Sequence, residues 1–199
     1  MAKNIFTVFV FCMISFTANL LNRPKIRMYN NDTFSETKAA FLELNPMDAG
    51  DNKALERLIS HWGREDSYVR IIEDNFKNNK YHPEINTTER FFVLAEPKRD
   101  GQFLDVKKIL AVAQTSAQNP KNGVEIDYFQ VMPKYIERQT NYGRRDVGKA
   151  MMDSLKKIFS GKNIWLYSTN SARDFYLKNG FKQTGVSVVG LPIMKFFGK

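Results

Sequence analysis

At 199 residues, with 43% hydrophobic and 13% aromatic content, the chain can bury one full core but is too short for two ordinary domains. Its formal net charge of +9 points to an anionic partner, yet the basic residues are scattered among acids rather than blocked, which disfavours nucleic acid. A single cysteine, Cys12, excludes an internal disulfide, and two histidines far apart, His61 and His82, without Cys or carboxylate at ligand spacing, argue against a metal site.

The first 34 residues differ in composition from the rest. Ile5 to Leu21 is an uncharged, mostly apolar run, and Lys3, Arg23, Lys25 and Arg27 around it have no acid among residues 1–31. This reads as an extension, 1–34, ahead of a domain at 35–199, and as a signal or anchor segment. Thr17-Ala18-Asn19 is a poor cleavage site, and the run is marginal against the roughly 20 apolar residues a spanning helix needs. If it does associate with a membrane, the positive charges after it hold the domain on the cytoplasmic side, so a cytoplasmic location is expected either way. The alternatives are an extra helix or strand packed on the domain, or a true start at Met28.

From residue 35 the chain reads as one unit. Phe41 to Leu44 alternates as a strand ended by Asn45-Pro46, and Asp48 to Asp51 can cap a helix carrying Leu55, Leu58, Ile59 and Trp62 on one face. A second helix carries Val69, Ile72 and Phe76. Arg90–Glu96 and Ile109–Gln114 are β-like and separated by a turn-rich stretch, which predicts antiparallel neighbours, and Val124–Met132 is the next strand. Val147–Phe159 is an amphipathic helix stopped by Gly161, Ile164–Tyr167 a strand, and Ala172–Asn179 a short helix closed by Gly180. The last strands follow from Phe181. The predicted order is β-α-α-β-β-β-α-β-α-β-β, an α+β (mixed α/β) fold.

Where Val124–Met132 meets Pro133, a polar stretch leads to Tyr-Gly-Arg-Arg-Asp-Val-Gly-Lys-Ala-Met, which opens a helix. A helix start leaves backbone N–H groups without intrahelical partners and carries the positive end of the dipole, so this turn is suited to a pyrophosphate. Small residues there also suit plain helix-on-sheet packing.

Two motifs carry a family resemblance. Arg145-Asp-Val-Gly148-Lys-Ala150 matches Arg/Gln-x-x-Gly-x-Gly/Ala after a strand and a Pro, and Ala172-Arg-Asp-Phe175-Tyr176-Leu-Lys178-Asn-Gly180-Phe181 is similar to Ala-x-x-Phe-Tyr-x-Lys-x-Gly-Phe. With the order of elements, these resemble the GNAT (Gcn5-related N-acetyltransferase) superfamily over roughly residues 36–197. In the family's commonest register, Gly143 stands where Arg is usual and Asp146 where Gly is usual. A carboxylate there repels phosphate unless it turns outward or pairs with Arg144 or Lys149.

The resemblance implies a central twisted sheet, mostly antiparallel and flanked by helices, with a splayed parallel strand pair that binds the coenzyme. It implies acetyl-CoA as acyl donor, an amine acceptor on a small molecule, peptide or protein, and no metal. The backbone of Gly143, Arg144, Arg145, Asp146, Val147, Gly148, Lys149 and Ala150 would hold the pyrophosphate, with Val131 pairing the pantetheine arm and Asn170 as a further coenzyme contact. Tyr176 would be the general acid toward the thiolate.

The base is read from the residues. Glu125 and Asp127 lie two apart on one strand and are expected to share a face with Phe129 and Val131; Glu137 is a third candidate by position. Two other functions stay open: an acyl-CoA-binding module without turnover, and a toxin that acetylates aminoacyl-tRNA.

Overall fold

The computed structural model describes residues 18–30, 33–62, 68–81, 88–96, 104–117, 123–136 and 142–198. Cys12, His82, Glu137 and the greater part of the apolar run 5–21 lie outside them.

The body is one sheet with helices on both faces. Its strands are β1 (Asn19–Asn22), β4 (Ala40–Leu44), β5 (Arg90–Ala95), β6 (Ile109–Ser116), β7 (Val124–Val131), β9 (Ile164–Tyr167), β11 (Pro192–Phe196) and β10 (Lys182–Val186), in that spatial order. Every pairing is antiparallel except β7 with β9. The middle strands are apolar on both sides because both sides are covered. Phe92 and Leu94 of β5 join one core, while Phe91 and Val93 join the other.

Helices α1 (Ala49–Glu56), α2 (Leu58–Trp62) and α3 (Tyr68–Tyr81) supply Leu55, Leu58, Trp62, Ile72 and Phe76 to the second core. Asp48 caps α1, accepting from the amides of Gly50 and Asp51, as the sequence predicts. On the opposite face α4 (Val147–Ile158) and α5 (Arg173–Lys178) bring Val147, Ala150, Met151, Leu155 and Tyr176 to the first core.

Four strands lie outside the predicted order of elements, those before residue 31 as the alternative of an extra strand packed on the domain. β1 pairs with β4 at the sheet edge. β2 (Lys25–Asn30) and β3 (Thr33–Lys38) form a hairpin whose β2 also pairs with β8 (Tyr142–Arg145), making a small second sheet ordered β3-β2-β8. The boundary drawn after residue 34 therefore falls inside β3, and residues 19–30 pair with the body. Ile26 of β2 is fully buried in the first core, and a chain begun at Met28 would lack it. Among the described residues no helix is long and apolar enough to cross a membrane.

Candidate active site

The parallel pair β7/β9 holds together only at its start, where Val124 faces Ile164 and Glu125 faces Trp165. Gly123 makes this junction, with φ at +118°. A Cβ there would lie 2.3 Å from the Asn163 carbonyl oxygen, the same oxygen that accepts from the Val124 amide at 2.9 Å. Beyond Glu125 the strands part. Among the described residues no strand pairs with Ile126–Val131 on the β9 side, so a row of backbone donors and acceptors lines the opening.

The opening ends at the start of α4. The Ala150 amide is the first in the helix to find its acceptor there, the Asp146 carbonyl, at 2.8 Å; those of Val147, Gly148 and Lys149 are the orphan donors of a helix start. Asp146 precedes them with φ 61° and ψ 15°, left-handed, and its side chain makes no capping hydrogen bond. It is the one described residue other than glycine with positive φ, and Asp is among the few side chains that tolerate this region.

The expected partners of Asp146 were Arg144 and Lys149. Lys149 instead pairs with Asp153, one turn along α4, and Asp146 pairs with Arg27 of β2. Residues 143–145 also differ from expectation. They form strand β8, with Gly143 opposite Tyr29 and Arg145 opposite Arg27. The free turn shortens to Asp146–Lys149.

Gly148 is held small by its neighbours. A Cβ at this position would meet Phe175 Cε2 at 3.0 Å and Val131 Cγ2 at 3.3 Å. Three pieces of the site thus touch at one point: the end of β7, the start of α4, and α5.

A β-bulge corrects the reading of β7. Against β6, Gln114 faces Tyr128 and Thr115 faces Ile126, leaving Asp127 as the extra residue. The bulge reverses the alternation. Phe129 and Val131 pack on the first core with Val124 and Ile126, whereas Tyr128 packs on the second. Glu125 and Asp127 accordingly do not share the face of Phe129 and Val131.

The two sides of the opening differ in chemistry as a result. Toward α5, Phe129 stacks on Phe175, ring centroids 5.9 Å apart and planes 13° from parallel. Toward α3, Tyr128 meets Tyr68 at 5.8 Å.

Burial sets the protonation of the candidate groups. It raises Glu125 to about 7, with the neighbouring Asp127 adding to the effect. Asp127 rises to about 6, chiefly by burial and partly offset by the Ser116 hydroxyl, which donates to it at 2.8 Å; Glu89 pushes it further up. Tyr176 is 7% exposed, with Phe175 and Phe181 edge-on to it. Burial pushes its hydroxyl well above the usual phenol range, and Tyr68 adds to this. It therefore keeps its proton at any physiological pH.

Asn170 is exposed and opens the short 3-10 turn Asn170–Ala172 ahead of α5. Among the described residues no group of three or more His, Cys, Asp or Glu side chains is placed to hold a metal ion.

This architecture is the GNAT fold. A GNAT-family acetyltransferase structure from Desulfovibrio desulfuricans superposes with a TM-score of 0.56 at 12% identity, covering 80% of this chain and 98% of the other. The histone acetyltransferase HPA2 and related acetyltransferase of Corynebacterium glutamicum gives 0.54 at 13%, covering 82% and 98%. A spermidine N-acetyltransferase chimera of the Vibrio cholerae enzyme and a second acetyltransferase gives 0.53 at 13%, covering 81% and 96%. No family model matches the chain, and no curated protein matches it by sequence.

Proposed function

We propose that this protein is an acetyl-CoA-dependent N-acetyltransferase acting on a primary amine. One observation carries the reading. The unpaired edge of β7 leads from a buried carboxylate with raised pKa, Glu125, to the orphan amides of a helix start.

In this reading the amides of Val147, Gly148 and Lys149 hold the pyrophosphate, and Lys149, on a surface pair with Asp153, can turn to add charge. The β7 edge up to Val131 pairs with the amides of the pantetheine arm as an added strand would. Arg144 and Arg145 lead from β8 into the turn and Ala150 closes it, its amide donating to the Asp146 carbonyl, and Asn170 is kept as a further coenzyme contact.

Acyl transfer then needs a neutral amine and a proton for the departing thiolate. Glu125, at the last paired residue before the opening, accepts the proton of the incoming ammonium, directly or through water. With a pKa of about 7 it is ionised often enough to be a base and basic enough to hold the proton. Burial, with Asp127 adding to it, keeps that pKa raised. The amine nitrogen attacks the thioester carbonyl, the C–S bond breaks, Tyr176 supplies a proton to the sulfur, and the second proton that the nitrogen sheds as the amide forms passes through water to restore the tyrosine hydroxyl. The acid and the base thus stand on different elements, one from α5 and one from β7.

The test is release of free thiol from acetyl-CoA, assayed with a panel of primary amines. Amine-dependent release supports the function. Coenzyme binding without release for small-molecule, peptide and protein amines alike would replace it with an acyl-CoA-binding module.

A further inference from the structure

We infer that Arg27, brought by the N-terminal hairpin, is a positioning residue for the coenzyme that neutralises Asp146 and so lets a carboxylate stand at the phosphate turn. The inference rests on the coenzyme reading above.

Asp146 occupies a left-handed position where the chain turns from β8 into α4, and its carboxylate lies one residue before the orphan amides. A bare carboxylate there opposes a pyrophosphate twice, by direct repulsion and by cancelling the positive field of the helix start. The structure shows how this is relieved. The carboxylate makes no hydrogen bond to the α4 amides, which leaves them for another acceptor, and its Oδ2 instead accepts from Arg27 Nε.

The register places Arg27 for this. Antiparallel pairing sets it opposite Arg145, the residue before Asp146, and Ile26 beside it is anchored in the core. The side chains of Arg27 and Asp146 are about half and one-third exposed. The pair therefore lies at the surface, where it adds little to stability but is open to an approaching phosphate. An unrelated feature, the open β7 edge, leads to this same turn.

The test is a four-member set in the full chain: wild type, Arg27→Gln, Asp146→Asn and the double variant. Asn keeps the tolerance for positive φ, and Gln keeps a polar side chain on the strand. Coenzyme A binding is measured by calorimetry, with thermal unfolding without ligand as the check on folding. Arg27→Gln is expected to weaken binding by about tenfold, as for one uncompensated charge near a diphosphate. Asp146→Asn should bind at least as tightly as wild type, and the double variant should return to within about threefold of wild type.

Three results overturn the inference. A double variant as weak as Arg27→Gln would make Arg27 a direct phosphate ligand, and Arg27→Gln binding like wild type would give it no role. Wild-type protein that holds no coenzyme A would remove the function proposed above together with this inference, whereas the other two results leave that function standing.

Discussion

Phe129 and Phe175 stack across the gap that β7 and β9 leave between them, joining β7 to α5 by side chains where no backbone pairing does. The stack closes one side of the opening with an apolar floor, and Gly148 of α4 packs directly against it. Phe175→Ala is predicted to cost about 2–3 kcal/mol, as for a half-buried aromatic that loses a ring partner, and to weaken coenzyme A binding about tenfold, with Phe175→Leu in between. Urea unfolding and calorimetry check the two parts separately.

Gly148 gives a sharper steric test. Ala there gains helix propensity of about 1 kcal/mol but presses on a ring edge, at an overpacking cost of about 1–3 kcal/mol. The net is a loss of at most about 2 kcal/mol, so Gly148→Ala should melt at or a little below wild type. Gly148→Val cannot be accommodated in the same way and should lose at least about 2 kcal/mol. Equal stability of the two variants would show that the contact is not tight.

Tyr176→Phe separates chemistry from binding. Loss of the proposed proton donor should lower kcat about a hundredfold, within the usual range for a general acid. The affinity for coenzyme A should stay within about twofold, because the ring and its packing are retained. A large loss of affinity with little change in kcat would make Tyr176 a packing residue.

Glu125 makes a prediction about pH with a definite sign. Its folded-state pKa, about 7, lies above the unfolded value near 4.5, so between those values the native state binds more protons than the unfolded one. Stability then falls as pH rises through this window. Glu125→Gln removes the cost of burying the charge and should raise the melting temperature at pH 8 by several degrees, from a gain on the order of 2 kcal/mol, with no gain at pH 4. Activity should move the other way. The wild-type rate should rise with pH with an apparent pKa near 7, and the variant should lose this limb and fall about a hundredfold or more at pH 8.

Much of the fold is legible in the sequence, for reasons visible in individual elements. The run Phe91–Leu94 carries a pattern long enough to name a strand, and Asp48 caps as its type predicts; the face Leu55, Leu58, Trp62 names a helical segment, but the one helix read there is two, α1 and α2, parted at Arg57. β8 is not legible. Tyr-Gly-Arg-Arg has no alternation of its own and becomes a strand because β2, more than a hundred residues earlier, lies beside it. The bulge at Asp127 is hidden for a related reason, since counting by twos assumes an unbroken ladder. Asp146, where the motif it resembles has Gly, signals a need for a positive charge, but Arg27 answers it through long-range register, which no local spacing encodes.

The central claim is that the helix start beyond β7 holds the coenzyme's pyrophosphate. The most direct measurement is thermal unfolding of the full chain against rising coenzyme A, with pantetheine, which lacks the phosphates, as the control. The account predicts a melting temperature that climbs with the logarithm of coenzyme A, corresponding to about 2.7 kcal/mol at a hundred times Kd, and a far smaller response to pantetheine. No shift with millimolar coenzyme A, or equal shifts with both compounds, would contradict it.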